Sequence, residues 1–134
     1  MWYPKLVLLM GIAAAGLAQT STPRKLIASL DGKDLFVAYC ASCHGMDAMG
    51  KGPVAPALKV EVPNLRWIEK RRGGKFPVPE LEKLILGEGD LRAAHGTREM
   101  PVWGPVFMRI EKDQDMGLVR VRRLVDYLKT LQAR

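Results

Sequence analysis

The sequence predicts an all-α domain of about four to five short helices joined by long loops. Three observations predict it. Leu118, Val121, Leu124, Val125, Leu128 and Leu131 recur at helical spacing near the C-terminus. No segment alternates apolar and polar residues for long, as a half-buried strand would. Between the periodic segments lie stretches rich in Gly and Pro. The chain has 134 residues, 48% apolar and 26% charged, which suits one globular domain and excludes a multi-domain enzyme or a disordered chain.

The elements follow in order. Lys5 precedes an unbroken apolar run, Leu6 to Leu17, and Gly16 and Ala18 stand three and one residues before Gln19. This is the layout of a secretory signal peptide over residues 1–18. The run is too short for a spanning helix, so membrane contact is expected only if this segment stays uncleaved, as an N-terminal anchor. Residues 19–30 read as a flexible tether. The folded domain is then 31–134. Export implies an oxidising compartment, the periplasm of a bacterium.

Asp31 to Asp34 can cap a helix that runs through Leu35, Phe36 and Tyr39 to Cys40. Gly45 to Pro63 contains three Gly and three Pro and reads as loop. Asn64 caps a helix over Leu65 to Arg72, stopped by Gly73 and Gly74. Pro79 suits the first turn of a helix through Glu80 to Leu86, stopped by Gly87. Glu88 to Gly96 is loop, and the last helix starts near Asp115. Arg120, Arg122, Arg123 and Lys129 are expected largely on its outer surface. So many loops in so small a domain argue that something other than chain fills the middle.

The chemistry is concentrated in Cys40-Ala41-Ser42-Cys43-His44. C-x-x-C-H is the attachment run for c-type haem. Two thiols three residues apart on one helical turn reach the two vinyl groups of one porphyrin. His44 follows and is held under the iron as an axial ligand. The rivals are weaker. A disulfide between the two cysteines leaves His44 unexplained. A thioredoxin-like pair needs a βαβ setting that is absent from the pattern. A zinc site needs four ligands, and there are only two Cys and two His, one of them distant.

The opposite side of the iron needs a second ligand. Met1 and Met10 leave with the signal, and Met46 and Met49 follow His44 too closely to pass round the ring. Met100 stands in a loop before Pro101, which holds its neighbour extended. Met108 is more simply core, and Met116 falls at a helix start. His95 is the runner-up.

These residues give the chain its resemblance. It resembles the class I c-type cytochromes, small mono-haem electron carriers, over about residues 30–132. Gly32-x-x-x-Phe36-x-x-x-Cys40-x-x-Cys43-His44, Met100-Pro101-Val102-Trp103-Gly104 and Leu124-Val125-Asp126-Tyr127-Leu128 carry the likeness in that order. The resemblance implies a cytochrome c-like fold around one covalently bound haem, with the first and last helices crossing at Gly32. It implies a proline carbonyl on the proximal imidazole. Pro56 is the best match by position and Pro53 the rival. By rough position it also implies Trp67 and Arg71 near the haem propionates.

The expected function is electron transfer by haem c with His44 and Met100 as axial ligands, shuttling single electrons between respiratory or dehydrogenase partners. The alternative is a haem enzyme or gas sensor, peroxidase-like, with a displaceable distal ligand. The carrier reading makes the chain no enzyme itself, though it can serve as the haem subunit of a larger oxidoreductase. The formal charge is +7, falling to +6 when Lys5 leaves with the signal. That balance favours a partner with an acidic docking surface, an oxidase or a quinol or alcohol dehydrogenase. It does not suit nucleic acid, for the charge is spread and no basic helix or aromatic platform exists.

Overall fold

Asp31 opens the first helix, α1 (Gly32–Tyr39). Its carboxylate accepts from the backbone N–H of Lys33 at 2.9 Å and of Asp34 at 3.1 Å, satisfying two donors the helix cannot. Leu35 and Phe36 from this helix are fully buried. The computed structural model describes residues 28–88, 100–110 and 114–133. The expected signal peptide, most of the tether and His95 lie outside the described residues.

Cys40 links α1 to a single further turn, α2 (Ala41–His44). The loop from Gly45 to Pro63 holds one 3-10 turn, Ala55–Ala57. The helix expected over Leu65 to Arg72 is split. A 3-10 turn, Leu65–Trp67, runs into α3 (Ile68–Arg71), and the Asn64 side chain caps it by accepting from Arg66 N at 2.9 Å. Helix α4 (Val78–Leu86) has Pro79 in its first turn. Gly87, at φ +78°, ends it in the left-handed region, where Glu88 N donates to Lys83 O at 2.9 Å.

Helix α5 (Gly104–Ile110) was not expected from the sequence. Its Pro105, one residue in, suits a helix start but reads as loop when no cap precedes it. Helix α6 (Gln114–Thr130) follows and is the central element, packed on by α1, α4 and α5. The core joins Leu35 and Phe36 to Phe107, Val121, Leu124 and Val125. Among the described residues there is no strand, and no helix is long and apolar enough to cross a membrane.

Two side chains of α6 correct the expected face. Leu118 is 40% exposed, because the first turn approaches α5 through Gly117 against Met108, and Leu118 turns away. Arg120, expected at the surface, is fully buried. It lies three residues from Gly117 and four from Leu124, so helical spacing puts it on the inward face. Its Nη2 donates to Ala28 O at 3.4 Å.

Two further contacts position the site. Tyr39, Trp103 and Phe107 form an aromatic cluster: Tyr39 meets Trp103 edge-on at 5.1 Å and Phe107 edge-on at 5.0 Å. Beyond α6, the Gln132 side chain accepts from Glu69 N at 3.0 Å and donates to Leu65 O at 3.0 Å. It fastens the C-terminal end of α6 to α3.

Candidate functional site

The thiol turn is fixed by backbone hydrogen bonds from both sides. Cys40 N donates to Phe36 O and His44 N to Cys40 O, each at 2.9 Å, so α2 continues the register of α1. The following loop then folds back. Gly50 N donates to His44 O at 2.7 Å, Gly52 N to Cys43 O at 3.0 Å and Val54 N to Ser42 O at 2.9 Å. A Cβ on Gly52 would run into Ser42 O and stand 2.7 Å from Ala41 O. Only glycine admits this approach, and backbone blocks any relief by rotamer change.

Both cysteines are free thiols. Burial, and then the neighbouring Cys43, pushes the Cys40 thiol up to about 12. His44 is buried, with Nδ1 3.4 Å from Pro63 O. Burial holds the imidazole below its ordinary pKa, and the contact with the Pro63 carbonyl opposes this in part. The ring is therefore neutral at pH 7. A proton on Nδ1, directed at Pro63 O, leaves the Nε2 lone pair available to a metal.

Pro63 is the proline at the imidazole, which corrects the expectation of Pro56 or Pro53. Both of those are exposed. The first half of the loop is used in closing on Ser42 and Cys43, and Pro56 is taken into the 3-10 turn. The end of the loop comes round to the His44 ring. Gly50, at φ +83°, lets it: a Cβ there would strike Val62 O. The one sequence signal for Pro63 was its place directly before the Asn64 cap, where the loop must stop.

Pro63 also lines a cleft of about 210 Å³. Its walls are mainly apolar, with Leu65, Ile68, Leu81 and Leu84, and Arg71 and Arg72 contribute two cations. Arg71 donates from Nη1 to Asn64 O at 2.9 Å. Trp67 does not line this cleft. It is half exposed, with Lys70 Nζ 6.0 Å from its ring centroid. Of the two expected propionate neighbours, the structure brings only Arg71 to the cleft beside Pro63.

Met100 sits in a bend and is 41% exposed. Its segment joins the body at Trp103, whose N donates to Ile85 O at 3.2 Å. The donor set suits haem: two reduced thiols on one turn, a neutral imidazole oriented through Nδ1, an apolar cleft starting at the same proline, and guanidinium groups for carboxylates. Among the described residues no cluster of three or more His, Cys, Asp and Glu offers a metal cage instead.

Against models of known protein families, residues 29–132 match the one described as Cytochrome c. No curated protein and no solved structure matches the chain.

Proposed function

The chain belongs to the cytochrome c family, and on that premise we propose that it is an exported single-haem electron carrier with His44 and Met100 as axial ligands. The family binds haem c covalently, and the spacing of Cys40 and Cys43 fits that attachment. Haem-based electron transfer is the family's general work. The observation that carries the finer reading is the buried His44 ring, with Nδ1 facing Pro63 O and two free thiols on its own turn.

Haem c supplies a one-electron couple, Fe(III)/Fe(II), and the rest is done by the chain. Cys40 and Cys43 hold the group in place through thioether bonds. Pro63 fixes the tautomer and tilt of the imidazole and makes it a stronger donor. The thioether of Met100 is a soft ligand that favours Fe(II), which raises the potential. Arg71 and Arg72 offset the charge of the propionates. His44 and Met100 would together hold the iron, which would leave it to change only its oxidation state. A carrier of this kind suits delivery to an oxidase or acceptance from a quinol or alcohol dehydrogenase in the periplasm, after removal of residues 1–18.

A visible spectrum and a redox titration of the purified protein test this reading together. A Met–Fe charge-transfer band and a high potential are expected. Met100→Ala is expected to lose the band, lower the potential and bind carbon monoxide when reduced. An unchanged band in that variant, with changes in His95→Ala instead, overturns the ligand assignment. Carbon monoxide binding by the unaltered reduced protein would favour the sensor or peroxidase-like reading.

A further inference from the structure

Among the described residues, Met100 has little to hold it. It and Pro101 are exposed, and Val102 is only half buried. Firm contact begins at Trp103. Its N–H donates to Ile85 O in the last turn of α4 at 3.2 Å. Its ring meets Tyr39 edge-on at 5.1 Å and stacks with Phe107 at 6.5 Å. Tyr39 is the residue before Cys40, so Trp103 touches the same helix end that carries the first thiol.

Gly104 comes next and completes the footing. A Cβ there would lie 2.6 Å from Leu86 O and 2.8 Å from Leu86 Cα. Both atoms are backbone, so no side chain can swing aside. The absence of a side chain at 104 is what lets the start of α5 sit against the end of α4.

We propose that Trp103 and Gly104 are the positioning residues for Met100, seating its loop on α4 and on Tyr39 so that the thioether is held at a fixed place. The proposal rests on the reading of Met100 as axial ligand. The physical argument is one of short reach. Trp103 is three steps along the chain from Met100, a span of at most about 11 Å. Pro101 locks its own φ and keeps Met100 extended. A stiff arm of that length passes a displacement of its foot directly to the sulfur. Carbon monoxide binds only the form with the methionine detached, so its apparent affinity reports the fraction detached.

The experiment uses the haem-loaded protein in six forms: unaltered, Met100→Ala, Trp103→Ala, Trp103→Phe, Gly104→Ala and Leu128→Ala. Leu128 is buried in the core on α6, away in sequence from Trp103 and Gly104, and its truncation lowers stability. The charge-transfer band, the carbon monoxide affinity of the reduced protein and the urea midpoint are measured on each. Trp103→Ala and Gly104→Ala are expected to weaken the band and raise the affinity about tenfold or more. Trp103→Phe, which keeps a ring against Tyr39, is expected to restore both. Leu128→Ala is expected to lower the midpoint with the band intact. If Met100→Ala keeps the band, the ligand reading fails and this proposal with it. If Met100→Ala loses the band while Trp103→Ala and Gly104→Ala keep it, the positioning proposal alone is overturned. A band lost equally in Leu128→Ala also overturns it, since any loss of stability would then suffice. Should Trp103→Ala fail to fold, Gly104→Ala and Trp103→Phe still decide the matter.

Discussion

Gly32→Ala adds one methyl group where α1 crosses α6, and the structure fixes the sign of its effect. Gly32 is the first residue of α1 and is buried. The new Cβ would overlap Arg123 O and lie 2.8 Å from Tyr127 Cβ and 2.9 Å from Arg123 C. Two of these three atoms are backbone of α6, and the third is a Cβ, so rotamers offer no escape. The helices must part, loosening Leu35 and Phe36 from Val121, Leu124 and Val125. Against this stands helix propensity, which favours Ala over Gly by at most about 1 kcal/mol and less at a helix end. Overpacking of a tight contact costs about 1–3 kcal/mol. The net is a loss of about 1–2 kcal/mol for Gly32→Ala, and a larger one for Gly32→Val, whose branch adds two methyl groups. For a domain of this size each kcal/mol is about 4–8 °C in Tm. Urea unfolding followed by far-ultraviolet circular dichroism measures it, with the slope m unchanged. A midpoint for Gly32→Ala at or above that of the unaltered protein refutes the crossing.

Three other outcomes are expected. After acid–acetone extraction the colour stays with the polypeptide, and only the double variant Cys40→Ala/Cys43→Ala releases haem to the organic layer. Burial raises the pKa of Tyr39, and the charge of Arg120 opposes this in part. Its folded value thus lies above the unfolded value of about 10, so stability is whole below pH 10 and falls as pH rises beyond it. Urea midpoints measured across that range should lose part of this decline in Tyr39→Phe; an identical decline there rules the contribution out. Association with an acidic partner should slow steeply as ionic strength rises from about 0.01 to 0.15 M, where the Debye length shrinks from about 30 to 8 Å. Stopped-flow reduction measures this, and a flat response would assign the basic residues between Lys59 and Lys75 to solvation alone.

The parts of the molecule written in local chemistry were legible in the sequence. Asp31 and Asn64 cap where short polar side chains before an apolar run should, and Gly87 stops α4. The thiol–imidazole turn is a contiguous motif, so its geometry follows from one helical turn. What escaped depends on tertiary placement. Helix α5 has no side-chain cap signal and begins Gly-Pro, and its helicity comes from packing on α6. Arg120 was assigned outward by its charge, although its spacing from Gly117 and Leu124 put it inward. Pro63 escaped because which proline reaches the imidazole depends on how much of the loop is spent on Ser42 and Cys43 first. Met100 and the foot at Trp103 lay within one short motif, but that the foot stands on Tyr39 and Leu86 was not to be read from it.

The pairing of α1 with α6 also sets an order of events in biosynthesis. A chain is made N-terminus first, and the two residues that meet where the helices cross, Gly32 and Arg123, stand about ninety residues apart in the chain to be closed. Until α6 has emerged, α1 has no partner and the Cys40 sulfur stands open. Once the pair closes, Cys40 is buried beneath it. The thiols are therefore most accessible for joining to haem while the chain is still incomplete or unpaired. Closure afterwards covers the Cys40 sulfur, so a long-range contact that slows folding also keeps open the interval in which the cofactor is installed.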